Sequence, residues 1–366
     1  MKRQKGDNIF LAILGIILLA GLAILASASA VLSYEDFGYS YGYLKHQFLV
    51  GILPGLLCFF IVSKINYTIF RKYSLFLLVT TIFLLFLLFI PEFGIETKGA
   101  ARWLSIYSFT FQPSELLKLT FILYLAAWLE SRKNSLASFS EGLVPFLVIC
   151  SIIAVLLISQ PDIGTLMVIL FIATVIYFIA GGKLVHLGFS FIFGIIGLAI
   201  LISSEQYRLK RWFIFLNPDS DPLGSGYQMN QALIAIGSGG LFGLGFGMSK
   251  QKYNYLPESM GDSIFAITAE EFGFIGSVIL VLLFMLLLWR GLHIAKNAST
   301  IFGRLIAIGI ISWISIQALV NIGAISGLIP LTGIPLPFIS YGGSSMLVLL
   351  TASGILYSIS KDRMRN

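Results

Sequence analysis

The chain has 366 residues, 57% of them hydrophobic and only 11% charged, with a mean hydropathy of +0.93. So few charges cannot cover a soluble globule of this size, which excludes a water-soluble enzyme or carrier and makes lipid the solvent for most of the chain. The formal charge of +7 is no nucleic-acid signature, because the basic residues lie in short clusters between apolar stretches and form no stripe.

In chain order, apolar stretches of about 20 residues, each long enough to cross roughly 30 Å of hydrocarbon, predict membrane-spanning helices over 9–32, 45–63, 73–91, 113–130, 142–159, 163–181, 185–203, 263–290, 303–328 and 341–360. The predicted fold is all-α, a single polytopic domain over 1–366 with ten transmembrane helices and a large external segment, 204–262, between the seventh and eighth. Ten crossings put both ends on one side. Fifteen of the 24 Lys and Arg residues fall on that side, eight on the other and Lys118 within a span, so the positive-inside rule places both termini in the cytoplasm. No cleavable leader is needed to explain any of these stretches. Cys58 and Cys150 each fall inside an apolar span and are expected as small core residues.

Connections on the cytoplasmic side are short, whereas 33–44, 92–112 and 204–262 are long and carry the residues of unusual composition. The protein is expected to work on its outer side. Gly239, Gly243 and Gly247 recur at every fourth position, the spacing that lets a membrane helix approach a neighbour closely. A phosphate cradle would need a strand before the glycines and a soluble helix after them, and neither is predicted.

Ionisable side chains at membrane depth are expensive, so each is a candidate until a partner explains it. Glu115 and Lys118 stand three apart on one helix face, behind Gln112-Pro113-Ser114. They either answer the helix dipole and each other or belong to a site with Arg102. Asp162, in the tight turn Gln160-Pro161-Asp162, is either a helix cap or a site carboxylate. Arg208, Lys210 and Arg211 lie among Tyr207 and Trp212, as a headgroup-facing cluster or as cations for a pyrophosphate leaving group. Asp262 ends the run Leu256-Pro257-Glu258-Ser259-Met260-Gly261-Asp262, with Glu270 and Glu271 about two turns deeper. It is either an N-cap or a general base at the lipid–water boundary. His46, His186 and His293 are too far apart in the topology for a zinc motif or a Ser–His triad.

Lys98-Gly99-Ala100-Ala101-Arg102-Trp103, Phe111-Gln112-Pro113-Ser114-Glu115, Asn217-Pro218 with Asp221-Pro222-Leu223-Gly224-Ser225-Gly226-Tyr227-Gln228, Leu256-Pro257-Glu258 through Asp262, and Pro337-Phe338-Ile339-Ser340-Tyr341-Gly342-Gly343-Ser344 together resemble the SEDS family (shape, elongation, division, sporulation). Gln251-Lys252-Tyr253-Asn254-Tyr255 is closer to the division and sporulation branch (FtsW, SpoVE) than to the elongation branch (RodA). The resemblance implies a peptidoglycan glycosyltransferase of the bacterial plasma membrane. Such an enzyme uses lipid II, releases polyprenyl pyrophosphate, and works with a class B penicillin-binding transpeptidase and other divisome or elongasome membrane proteins. Carried over residue by residue, it makes Asp262 the base on the acceptor 4-hydroxyl, with Arg102, Glu115, Lys118, Asp162, Arg208 and Arg211 lining the substrate cavity. His46 stands where many relatives have Arg, and Gly261-Asp262-Ser263 replaces the more usual Thr-Asp-Phe. No cofactor is assigned. A divalent cation, Mg or Mn, would neutralise pyrophosphate, but the sequence offers no ligand cluster for it.

A lipid II flippase is the alternative. It would spread polar residues through the membrane to both faces, whereas here they crowd one side. A scaffold that only recruits a transpeptidase would leave the intramembrane carboxylates without purpose.

Overall fold

The structure, a computed structural model, describes residues 6–97, 100–106, 109–217, 221, 224 and 226–362. Lys98 and Gly99 of the first motif, Pro218 to Ser220, Pro222, Leu223 and Ser225 of the third, and the terminal Lys2, Arg3, Lys5, Arg363 and Arg365 lie outside the described residues.

Helix α1 (Asn8–Ala28) starts at Asp7, whose Oδ1 accepts from the Phe10 N–H at 3.0 Å. It stops at Ser29, where the hydroxyl turns back to the Leu25 carbonyl at 2.7 Å and competes with the backbone ladder. The first predicted span is thus shorter than 9–32, and α2 (Ala30–Phe37) follows as a separate helix closed by Gly38 at φ 77°. The second span runs from α3 (Gly42–His46) through a π-helical turn at Gln47–Ile52 into α4 (Leu53–Lys64). Pro54 supplies no N–H and crowds the carbonyl four residues back, so the ladder widens just before it. The same device recurs at Phe139–Leu143, ahead of Pro145 in α7 (Val144–Ser159). Between them, α5 (Ile69–Leu87) begins four residues earlier than predicted, because the Asn66 side chain accepts from the Thr68 N–H at 3.1 Å and opens the helix there.

Residues 92–112 depart from the all-α expectation. Strands β1 (Gly94–Thr97), β2 (Ala100–Ile106) and β3 (Phe109–Phe111) form an antiparallel sheet in that order, with Leu104 paired to both Gly94 and Phe111. Ile95, Trp103 and Phe111 are the β-branched and aromatic types that favour such a pleated, half-buried surface.

Helices α6 (Pro113–Ser131), α8 (Ile163–Ile179), α9 (Leu184–Ser203), α10 (Gln206–Leu216), α11 (Tyr227–Ser238), α12 (Ile264–Lys296), α13 (Ile301–Ile325) and α14 (Gly343–Ser360) complete the fold. Each predicted span overlaps at least one helix of the structure. Among the described residues eight helices combine a length of at least 18 residues with the hydropathy of a membrane span. Helix α8 falls short of them in length, at 17 residues, and α6 carries Glu115, Lys118 and Glu130. Helices α13 and α14 are the centre of the bundle: 67% and 72% of their apolar windows are buried within the protein, against 6% for α9 at its periphery. Helices α4 and α14, α12 and α13, α5 and α6, and α1 and α12 pack as neighbours.

The two ends of the chain meet. The Asp7 N–H donates to Ser360 Oγ at 3.0 Å, and Asp7 Oδ1 accepts from Arg290 Nε at 2.9 Å near the end of α12. Asp262, just before α12, therefore lies at the opposite end of the bundle.

The 204–262 segment is not one free external loop. Beyond Ser238 the chain leaves the helix and folds back along α12, which breaks at Gly273 (φ 66°, ψ −166°) to receive it. The amides of Leu244 and Gly245 take the carbonyls of Glu270 and Glu271 at 2.9 and 3.0 Å, and those of Phe274 and Ile275 take Gly240 and Leu241 at 2.8 and 3.1 Å. The glycine spacing does permit close approach: Gly239, at the end of α11, lies against the Ala269 backbone of α12, and Gly243 brings the fold-back stretch onto the same helix. A Cβ on Gly243 would stand 2.1 Å from the Glu271 carbonyl oxygen, whereas Gly247 faces open space.

Candidate active site

The stretch after α13 contains Pro330, Pro335 and Pro337, which forbid a helix and leave a run of backbone carbonyls to be satisfied from elsewhere. The groups that satisfy them, or pack against them, come partly from the motifs singled out in the sequence and partly from two amides of α13. Arg211 Nη1 donates to the Leu331 carbonyl at 3.3 Å. Gly164, two residues after Asp162, packs on Thr332 and Ile334 so closely that a Cβ there would meet Ile334 at 3.0 Å. Gly333 faces the Asp262 carboxylate. Asn321 Nδ2 donates to Ile334 O at 2.8 Å and to Asp262 O at 2.7 Å. Gln317 Nε2 donates to Pro335 O at 3.0 Å. Ser340 Oγ donates to Gly261 O at 2.7 Å, and the Tyr341 N–H to Met260 O at 2.9 Å. Gly342 N–H reaches Gln47 Oε1 at 3.0 Å, and Ser344 Oγ accepts from the Gln112 N–H at 3.2 Å.

Asp262 is half-buried. The capping explanation is not realised, since the residue at the N-cap of α12 is Ser263 and no side chain caps that end. The Asp262 Oδ1 accepts instead from Gln228 Nε2 at 3.3 Å, and Gln228 also donates to Ser263 Oγ at 3.0 Å. Asp162 behaves differently: it is the N-cap of α8 and accepts from the Thr165 N–H at 3.1 Å, so capping accounts for its position.

Glu115 and Lys118 are 3% and 2% exposed. Lys118 Nζ lies 2.7 Å from Glu115 Oε1, donates to Gln317 Oε1 at 3.0 Å and sits 5.0 Å above the Trp313 ring. Trp313 Nε1 donates to the same Gln317 oxygen at 2.7 Å. Its ammonium is thus occupied within the core by Glu115, Gln317 and the Trp313 ring. Glu115 Oε2, by contrast, is buried with no hydrogen-bond partner among the described residues, a costly state that a water or a substrate hydroxyl would relieve.

Arg102, on β2, donates from Nε to Gln160 O at 3.3 Å and from Nη2 to Pro161 O at 2.5 Å, which fixes the sheet to the turn before Asp162. Arg208 donates to Leu201 O at 2.8 Å and to Ser204 Oγ at 3.3 Å, back toward the end of α9; these contacts do not bring it to Asp262. Lys210 pairs with Asp221 at 2.9 Å on the surface.

Glu270 and Glu271 are explained by packing. Glu270 accepts from Ser249 Oγ and from the amides of Lys250 and Gln251 at 3.0 and 3.3 Å. Glu271 Oε1 pairs with buried Lys252 at 2.9 Å and accepts from Ser27 Oγ at 2.6 Å. His46 Nδ1 meets the Tyr341 hydroxyl at 2.8 Å, and burial pushes the Tyr341 phenol above its ordinary pKa. Among the described residues no group of three or more His, Cys, Asp or Glu is placed to hold a metal ion.

Gln317 and Asn321 were not singled out from the sequence, and Gln228 was read only as the end of the motif at 221–228, with no role assigned to it. The signal for the first two was two amides one turn apart inside an otherwise apolar span, where an unpaired polar group is expensive.

The bundle and its acidic, cation-flanked centre define a multi-pass membrane protein with a chemical site at one end. Residues 7–365 match the family model for FtsW, RodA and SpoVE, described as cell cycle protein. Stage V sporulation protein E of Bacillus subtilis (strain 168) is 42% identical over 360 residues, covering 98% of each chain. A probable peptidoglycan glycosyltransferase FtsW of Geobacter sp. (strain M18) is 37% identical over 366 residues, covering 100% of this chain and 99% of that one. A chain from a solved peptidoglycan synthase complex superposes with a TM-score of 0.81 at 29% identity, over 99% of both. The crystal structure of the rod shape determining protein RodA of Thermus thermophilus superposes with a TM-score of 0.71 at 28% identity, over 99% of this chain and 98% of that one. The chain belongs to the FtsW/RodA/SpoVE family.

Proposed function

We propose that the chain is a peptidoglycan glycosyltransferase that polymerises lipid II into glycan strands at the outer face of a bacterial plasma membrane, with Asp262 as its base. The observation that carries the assignment is that Asp262 is half-buried, takes no part in capping α12, and stands against the 331–336 stretch where the other candidate motifs converge. Its carboxylate removes the proton from the acceptor 4-hydroxyl. The freed oxygen then attacks the anomeric carbon of the donor with inversion, and polyprenyl pyrophosphate leaves with the electron pair of the broken C–O bond. Arg102 and Arg211 are the cations available to the leaving pyrophosphate. Lys118 and Glu115 act from within the core by holding Gln317, and through it the Pro335 backbone, in place.

The chain forms one domain with ten crossings, α6 and α8 included, and the shared end of its two termini is cytoplasmic, as the distribution of basic residues supports. Its partner is a class B transpeptidase. A divalent cation belongs with the pyrophosphate and not to a resident site. The buried ion pair at the terminal end, Asp7 with Arg290, ties α1 to α12.

The test is fluorescent lipid II in proteoliposomes, followed for both polymer and transbilayer movement, with and without a co-purified transpeptidase. A ladder of glycan products supports the polymerase; movement without product under every partner condition overturns it.

A further inference from the structure

A cavity of about 470 Å³ opens between α2 and the stretch that folds back along α12, and Asp262 does not line it. Its floor is Lys252 and Ser27; its rim carries Tyr34, Glu35, Tyr41 and Tyr253. The charge at the floor is already spent. Lys252 Nζ pairs with Glu271 at 2.9 Å and donates to Ser27 Oγ at 2.9 Å and to Gly247 O at 2.7 Å. Both carboxylate oxygens of Glu35 at the rim accept from the Asn254 side-chain amide, at 2.9 and 3.0 Å. With the lysine neutralised and a carboxylate at the mouth, the cavity repels a phosphate or pyrophosphate group. Tyr34, Tyr41 and Tyr253 remain 64%, 61% and 59% exposed, so three broad rings stand open around a pocket whose polar groups are few and convergent, the composition of a small-ligand site.

A row of rings joins this cavity to the catalytic segment. Phe37, one turn beyond Tyr34 on α2, lies 5.1 Å from Tyr43, and Tyr43 lies 5.2 Å from Tyr341, both edge to face. The Tyr341 N–H is bonded to Met260 O, two residues before Asp262. Sugar rings match such a surface: their C–H faces lie against the electron-rich faces of aromatic rings, and their hydroxyl and acetamido groups bond to carboxylates and phenols.

We infer that this cavity and its row of rings form a saccharide subsite that holds the uncharged sugar backbone of the growing strand after it leaves Asp262. The inference rests on the polymerase reading for its ligand, and its test keeps the two apart.

The probe is a soluble hexamer of N-acetylglucosamine, titrated into the full-length protein in nanodiscs by calorimetry. Wild type binds it, Tyr34→Ala/Tyr253→Ala loses about tenfold in affinity, as expected for two stacking contacts, and Glu35→Gln weakens binding as well. Asp262→Ala retains binding, which separates loss of the subsite from failure of the polymerase assignment. Tyr73→Ala, an exposed tyrosine on α5, is the control and changes nothing. In the lipid II assay the double variant gives shorter strands than wild type. Absence of hexamer binding by wild type, or equal binding by wild type and the double variant, overturns the inference. So does loss of a co-purified transpeptidase in the double variant with hexamer binding intact, which would make this face a protein contact.

Discussion

The side-chain amide of Asn321 donates to the backbone carbonyl of Asp262 at 2.7 Å, and its second hydrogen goes to Ile334 O at 2.8 Å. One buried residue of α13 thus fixes the backbone of the candidate base and the stretch facing it. Asn321→Leu leaves two carbonyls without a donor, at about 1–3 kcal/mol each. A lowered thermal midpoint is expected, together with a fall in kcat of at least about tenfold, measured as glycan product per folded enzyme. Full activity in Asn321→Leu would show that Asp262 is held by other means.

Lys118 and Glu115 form an ion pair with both partners inside the core. Removing one partner leaves a buried charge, so Lys118→Met is expected to destabilise the protein by about 3–5 kcal/mol, while Glu115→Met/Lys118→Met recovers most of that loss. Thermal unfolding of the three proteins in one detergent makes the comparison. A double variant as unstable as the single one would mean that the Lys118 hydrogen bond to Gln317 matters more than the charge of the pair.

Gly243 and Gly247 both have positive φ, 82° and 79°, but only Gly243 has a backbone oxygen where a Cβ would go. Gly247→Ala carries the conformational cost alone, about 1–2 kcal/mol. Gly243→Ala adds a clash that must push the fold-back stretch off α12. Hydrogen exchange at residues 239–252 is expected to rise markedly in Gly243→Ala and little in Gly247→Ala. Equal rises would place the constraint in φ and not in the contact.

The spans were legible in the sequence because a run of about 20 apolar residues has one stable solution in lipid. Their ends were less so: α1 stops at Ser29 and α5 starts at Ile69 because single side chains, Ser29 and Asn66, bond locally to the backbone. The sheet was hidden, since strands of three to seven residues carry little periodic signal beside such helices. Asp262 was visible as a carboxylate at the membrane boundary. Its neighbours Asn321 and Gln317 were not, being uncharged amides inside an apolar span, and nothing in the order of residues pairs Lys252 with Glu271, 19 residues away, because only the fold-back brings them together. The capping explanation fitted Asp162 and Asp262 equally well in sequence; only the observed helix starts tell them apart.

The most direct measurement of Asp262 as the base is the initial rate of glycan polymerisation from purified lipid II by wild type and Asp262→Asn, matched for folding and each supplied with the cognate transpeptidase. The asparagine keeps the shape and can still accept from Gln228 but cannot take a proton, so a loss of at least about a hundredfold is expected. Polymerisation at the wild-type rate would contradict the assignment and send the search for the base to Glu115, whose second oxygen has no partner among the described residues.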